Sequence, residues 1–274
     1  VGYVRDGPLP QRLDDAAGHP VQRWRQQVRD AIERRVGDPG AAGVLAALAV
    51  GDQSAIERDD WELFRQTGVA HLMSISGLHV TMFAWLAGLL LQRLWRLSPR
   101  ALHACPAQTA GRWGGLAAAA AYALLAGWGV PAQRTLWMLV TVAVLRSSGV
   151  HWPQPLVLLA AALMVALLDP WALMQAGFWL SFVAVALLIA SDPLAAPGLP
   201  QASRRARLWQ ALRGGLRTQL VASLGLAPLS LVFFQQVSLV GFLANLVAIP
   251  LVTLAITPLA LLGTLVPLCW ALAS

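Results

Sequence analysis

The sequence predicts an all-α membrane protein, a polytopic bundle of about seven or eight transmembrane segments preceded by short amphipathic helices. Three observations favour this fold class. Of 274 residues, 57% are hydrophobic and only 12% are charged, about half the charged fraction of an ordinary soluble domain. Apolar runs long enough to cross a bilayer recur along the chain. The charge is also uneven, because residues 71–274 hold only Asp169 and Asp192 of the 13 acidic residues.

Residues 1–66 are predicted to form an extracytoplasmic, interfacial segment, and residues 67–274 the transmembrane domain. Gly and Pro in the first 20 residues indicate a linker. Residues 21–36 then place apolar side chains on one helical stripe, which predicts an amphipathic helix. Its arginines alternate with acids, so a solvated face is favoured over a nucleic-acid surface. A short apolar helix at 41–50 and an amphipathic helix at 55–66 follow.

The membrane segments are predicted from length and charge. They are residues 69–91, 113–130, 133–149, 154–168, 171–191, 216–234, 239–256 and 257–273. The last 57 residues carry no charge, and prolines within them predict broken or re-entrant helices. The positions assigned to such structural roles are Pro131, Ser181, Pro228 and Pro250.

The distribution of arginine predicts the orientation in the membrane. Arginines are concentrated in loops 93–112 and 192–217, whereas the alternate loops hold only Arg134. The positive-inside rule therefore places the two Arg-rich loops in the cytoplasm and residues 1–68 outside.

Polar residues interrupt the first predicted span in the stretch TGVAHLMSISGLHV, residues 67–80. His71, Ser74, Ser76 and His79 lie there beside Gly77, which is predicted to be a flexible point. On one continuous helix the two histidines would share a face. Polar side chains in hydrocarbon face a bundle interior or a water-filled path. The four side chains are therefore predicted either to line a pore or to hydrogen-bond neighbouring helices. For the two histidines, phosphate binding when protonated is a further possibility and metal ligation a weaker one.

Two further polar residues are candidates for the same path. Arg134 follows Pro131 in a predicted turn between spans, where it would either contact phosphates at a pore mouth or extend to lipid headgroups. Asn245 lies mid-span, upstream of Pro250, and its amide needs a hydrogen-bond partner. It would line a broken helix or clamp two helices together.

The stretch 67–80, together with GWGVPAQRTLWML at 127–139, GFWLSFVAV at 177–185 and PLSLVFFQQVSLVGFLANLVAIPLV at 228–252, resembles the competence domain of the ComEC family of bacterial DNA-uptake channels. The resemblance implies translocation of single-stranded DNA during natural transformation. It also implies partners outside this chain, namely a cytoplasmic DNA-translocating motor and flanking DNA-binding and nuclease-like domains. Ser74, Thr81 and Trp179 depart from the residues common in that family.

Other function classes are weighed against this channel. A secondary transporter of small solutes has the same broken helices and midplane polar residues. An intramembrane serine protease would use Ser76, but no second histidine is suitably placed mid-span. Without lysine the chain has no Walker phosphate loop, and its histidines form no HExxH motif. Cys105 and Cys269 are isolated. The sequence therefore predicts a non-enzymatic domain with neither cofactor nor metal.

Overall fold

The computed structural model describes residues 20–149, 152–191, 203–235, 238–264, 266 and 268–273, and within them the chain is helical and has no β-strand. Residues 1–19 of the predicted linker and the first part of the predicted loop 192–217 lie outside these residues. The described helices are α1 Pro20–Arg35, α2 Pro39–Val50, α3 Arg58–Gln66, α4 Gly77–Trp95, α5 Pro99–Ala104, α6 Ala107–Leu125, α7 Val130–Ser147, α8 Gln154–Leu168, α9 Ala176–Ser191, α10 Arg204–Phe234, α11 Leu239–Leu251, α12 Thr257–Gly263 and α13 Leu268–Ala271.

Helix α1 confirms the predicted amphipathic helix, since it buries Val28 and Ile32 on one face. These residues pack in one core with helix α2, whose residues from Leu45 to Val50 are each no more than 1% exposed. Trp270 and Ala260 from the end of the chain join the same core. The N-terminal segment thus packs against the C-terminal helices, while its predicted placement outside the membrane remains a prediction.

Helices α4 and α6 approach each other backbone to backbone. A Cβ atom at Gly88 would lie 2.7 Å from the carbonyl oxygen of Gly111, and one at Gly115 would overlap the carbonyl oxygen of Ala84. Small residues four positions apart on both helices make this contact, which is a common arrangement in membrane proteins. The pair, with α7, encloses a second core that includes Tyr122. A third core joins α8 and α9.

Three described helical segments are both long enough and apolar enough to cross a membrane, namely Gly77–Trp95, Leu212–Phe234 and Val240–Gly263. This is fewer than the predicted seven or eight. Helices α8 and α9 are apolar but have only 15 and 16 residues. At 1.5 Å per residue they extend about 22–24 Å, less than the hydrocarbon core of about 30 Å.

The structure corrects several predicted boundaries. The first predicted span, 69–91, becomes helical only at Gly77, because a 3₁₀ turn at Ala70–Met73 and an extended Ser74 precede it. The predicted span 171–191 is divided into a 3₁₀ turn at Pro170–Met174 and α9.

The predicted spans 239–256 and 257–273 do not separate at residue 256. Helix α11 continues through Pro250 into a π-helical turn at Val252–Ile256 and then into α12. The amide of Thr257 donates to the carbonyl of Val252, so the chain absorbs the irregularity in one wide turn. Proline here widens the helix without ending it.

The other proline positions also differ from the prediction of broken helices. Pro228 lies inside the continuous 31-residue helix α10. Pro131 occupies the first turn of α7, where a missing amide proton costs no hydrogen bond. Ser181 lies half-buried within the continuous helix α9. Neither Pro131, Ser181 nor Pro228 marks a break.

Candidate functional site

Ser76 and His79 form the cap that begins helix α4. The Ser76 hydroxyl accepts from the His79 amide at 3.4 Å, and His79 Nδ1 accepts from the Ser76 amide at 3.3 Å. This reciprocal pair satisfies two amides that have no partner inside the helix. His79 is fully buried. Because the hydroxyl and Nδ1 both bind backbone amides, the arrangement is a helix cap and lacks the contact that activates a serine nucleophile.

His71 and His79 do not lie on one continuous helix, contrary to the prediction. His71 belongs to the 3₁₀ turn before α4, and the Ser74 hydroxyl donates to the His71 carbonyl at 3.0 Å. His71 keeps an exposed surface, yet desolvation by the surrounding protein lowers the pKa of its imidazole, opposed in part by the backbone of Gly68. Its ring still lies close enough to His79 for the two to interact electrostatically.

Gly77 is a contact point between helices, and its predicted flexibility stays a prediction. It is the first residue of α4, and a Cβ atom there would lie 2.5 Å from the Thr135 hydroxyl oxygen of α7. The absence of a side chain at Gly77 therefore lets the start of α4 rest directly on α7.

Arg134 is buried at 7% exposure in the second turn of α7, and not in the predicted turn between spans. A Cβ atom at Gly177 would lie 2.7 Å from its terminal Nη2, so the guanidinium packs on the backbone of α9. Asp169, at the end of α8, is the acid that acts on it electrostatically. Arg134 thus joins α7 to the α8–α9 connection.

Asn245 contacts the turn that leads into the 67–80 stretch. Its Nδ2 donates to the Gly68 carbonyl at 3.3 Å, and the Ser238 hydroxyl donates to the Gln66 carbonyl at 2.8 Å. Gly68 has φ of +71°, and a Cβ atom there would lie 3.0 Å from Gly241 Cα. Since the backbone of Gly68 also acts on His71, the structure brings His71 and Asn245 to one turn.

Several buried polar atoms find no hydrogen-bond partner among the described residues. They are His79 Nε2, Arg134 Nε, Asn245 Oδ1, Thr253 Oγ1 and Thr257 Oγ1. Such atoms are costly in an apolar interior, and in membrane proteins they mark polar paths or moving parts. Three of the five belong to predicted site residues. Within the described chain, no group of three or more His, Cys, Asp or Glu side chains is placed to hold a metal ion.

Sequence reasoning missed the partners of these residues. Gly68, Thr135 and Gly177 are ordinary residues whose importance comes from contacts with distant parts of the chain. Gly68 carried one readable signal, a glycine directly after an amphipathic helix, where helices often end. Thr253 and Thr257, in and after the π-helical turn, were also missed.

The comparison with protein families is decisive. The family model described as "Competence protein" matches residues 48–274. The chain belongs to the competence protein family.

Similar proteins agree with this membership. The competence domain is 39% identical to Competence protein ComA of Neisseria gonorrhoeae, over 93% of this chain and 35% of that protein. It is 35% identical to the uncharacterized protein YcaI of Escherichia coli (strain K12), over 82% of this chain and 29% of that protein. It is 28% identical to ComE operon protein 3 of Bacillus subtilis (strain 168), over 83% of this chain and 27% of that protein. The chain spans about a third of the length of these relatives or less. No solved structure matches it.

Proposed function

We propose that this competence domain forms the membrane channel through which single-stranded DNA crosses the bacterial cytoplasmic membrane during natural transformation. Family membership supports a role in DNA uptake. The observation that carries the proposal is a set of polar side chains, His79, Arg134 and Asn245, each with a buried atom lacking a partner in the described residues. Polar groups held at this cost within apolar helices are expected where a hydrophilic solute must pass.

In the proposed topology the chain crosses the membrane seven or eight times. The three long apolar segments are joined by α6, α7, α8 and α9, which cross as a packed group within the bundle. Loops 93–112 and 192–217 lie in the cytoplasm, and residues 1–68 lie outside.

In the proposed path, His71, Ser74, Ser76, Gly77 and His79 lie at the outer mouth. Asn245 holds the turn at Gly68 in place, so it braces the mouth from α11. Arg134 braces the path through its packing on Gly177, because its burial keeps it from open solvent. Few phosphate contacts suit transport, since a tight site would stall a moving polyanion.

The proposal extends to a non-enzymatic role and to partners outside the chain. Ser76 and His79 are engaged as a helix cap. Energy and any nuclease activity would then come from a cytoplasmic motor and from flanking domains, as the resemblance implies. The domain itself would supply the path.

The test uses nuclease-protected, labelled DNA reaching the cytoplasm of a transformable cell whose own uptake protein has its corresponding segment replaced by this chain. Arg134→Gln removes the charge that braces α7 on α9, and we expect uptake to fall about tenfold, which corresponds to roughly 1.4 kcal/mol. Arg134→Lys keeps the charge but loses the planar fork, so an intermediate loss is expected.

Arg93→Gln is the matched control, because Arg93 is an exposed arginine near the end of α4. Its uptake should stay within about twofold of the parent. Membrane abundance and surface DNA binding are measured for every variant. Unchanged uptake in Arg134→Gln at equal abundance would remove Arg134 from the mechanism. Absence of DNA in the cytoplasm with the parent chain, despite insertion and surface binding, would count against the channel.

A further inference from the structure

Two apolar grooves run along adjacent faces of α7 and meet at one pair of arginines. The first, of about 430 Å³, lies between α4, α6 and α7 and is lined by Ala84, Leu89 and Leu139 among others. The second, of about 810 Å³, lies between α7, α8 and α9. Its walls include Leu158, Ala161 and Val185. Both grooves share Arg112, Val142 and Arg146.

The shared end is cationic. Arg112 is half-buried in α6, and its Nη1 donates to the Ser147 hydroxyl at 3.0 Å, which holds the guanidinium beside the end of α7. Arg146 precedes that serine and is exposed. Neither arginine forms a salt bridge within the described part of the chain. The sequence has no acid between Glu62 and Asp169.

We propose that these grooves bind one anionic phospholipid, with its phosphate between Arg112 and Arg146 and one acyl chain in each groove. Guanidinium groups match phosphate oxygens in geometry and charge. Aliphatic walls suit acyl chains, and basic pockets between membrane helices at the cytoplasmic side recognise lipid headgroups. The inference rests on the proposed membrane placement and orientation, and it does not depend on DNA transport.

Nucleic acid fits the same grooves poorly. A strand carries one phosphate per nucleotide, whereas the cations lie only where the grooves meet. The remaining phosphates would lie against Leu, Val and Ala side chains without a counter-charge. A lipid has the opposite distribution, with one charged group and two apolar tails.

The bound lipid would add contacts among the helices that line the two grooves. Its headgroup would bridge α6 to the end of α7, and its chains would fill the spaces towards α4 and α9. Filling a groove between helices with an acyl chain adds dispersion contacts that empty space lacks. The lipid should therefore stabilise the helical bundle in addition to filling the two grooves.

The experiment measures lipid binding by native mass spectrometry of the full chain, purified in detergent and titrated with phosphatidylglycerol or with phosphatidylcholine. We expect the parent chain to retain phosphatidylglycerol in preference. The Arg112→Gln, Arg146→Gln double variant should bind phosphatidylglycerol at least about tenfold more weakly than the parent. The control double variant Arg96→Gln, Arg100→Gln removes the same charge from exposed residues outside both grooves, and it should bind like the parent.

If the glutamine variant fails to fold, the double variant Arg112→Lys, Arg146→Lys takes its place. It keeps both positive charges, and it should retain a measurable preference for phosphatidylglycerol. Equal binding of the two lipids by the parent would overturn the proposal. Equal loss in the control variant would also overturn it, because the effect would then be one of net charge. Displacement of phosphatidylglycerol by a single-stranded oligonucleotide that needs the same two arginines would assign the site to DNA. Lipid binding with failed DNA uptake would leave this site intact and refute only the channel.

Discussion

Ser76 caps the start of helix α4, and removal of its hydroxyl tests that role. Ser76→Ala removes the acceptor for the His79 amide at 3.4 Å. We expect the free energy of unfolding to fall by about 1 kcal/mol, as is typical when a serine cap is lost. Thermal unfolding of the purified chain in detergent measures the change.

Ser98 provides the matched control for this prediction. Its hydroxyl also accepts from a backbone amide at 3.4 Å, but it caps the six-residue helix α5, which has no buried residue. Ser98→Ala should therefore change stability less than Ser76→Ala does. An equal effect of the two substitutions would mean that the Ser76 cap has no special importance for the bundle.

At this scale the sequence predicted which residues are unusual but not what they touch. His79, Arg134 and Asn245 were found because polar side chains in apolar runs are costly. The contact of Arg134 with Gly177 joins residues 43 positions apart in the chain, and that of Asn245 with Gly68 joins residues 177 positions apart. Periodicity within a helix carries no information about such contacts, so the partners of Gly68 and Gly177 could not be derived from the sequence, although Gly68 was readable as a helix end.

Among the helices, the α4–α6 pair shows how small residues set packing. Gly115→Ala would place a methyl group against the backbone carbonyl of Ala84, which cannot rotate away. We expect a loss of roughly 1–3 kcal/mol in the free energy of unfolding, the usual cost of overpacking. The unfolding temperature in detergent should fall accordingly.

The neighbouring glycine supplies the control. At Gly114 the added methyl group would meet only the end of the Leu91 side chain, which can change rotamer. Alanine also favours the helix by up to about 1 kcal/mol over glycine. Gly114→Ala should therefore be close to neutral, and a loss as large as that of Gly115→Ala would show that close backbone approach is not the cause.

The helix breaks predicted at Pro228 and Pro250 are not found, because the effect of a proline depends on the backbone around it. Pro228 and Pro250 both lie inside helices, yet only Pro250 is followed by a π-helical turn. Both were predicted to break their helices, since the sequence shows the missing amide but not whether the surrounding backbone can absorb it. The small residues of the α4–α6 contact were readable in principle, because Ala84 and Gly88 lie four apart on α4 and Gly111 and Gly115 lie four apart on α6.

For the whole molecule, the first and last described helices share one core. Trp270 is 2% exposed, donates to the Ala260 carbonyl at 3.0 Å and packs in the cluster that contains Ile32 and Leu48. Charge composition favoured a separate interfacial segment before residue 67, because residues 1–70 hold most of the acidic residues. Burial of α2 against α12 shows that charge composition does not define how segments pack.

Orientation in the membrane is the property of the whole chain that most needs measurement, and single cysteines can report it. In a Cys105→Ser, Cys269→Ser background, exposed positions are replaced one at a time as Asp59→Cys, Leu97→Cys and Trp171→Cys. We expect a membrane-impermeant maleimide to label the variants at 59 and 171 in intact cells, and the variant at 97 only after permeabilisation, because arginines flank residue 97. Position 171 follows α8, whose 15 residues are short for a span. Labelling there only after permeabilisation would show that α8 does not cross, and the proposed count of seven or eight segments would then be wrong.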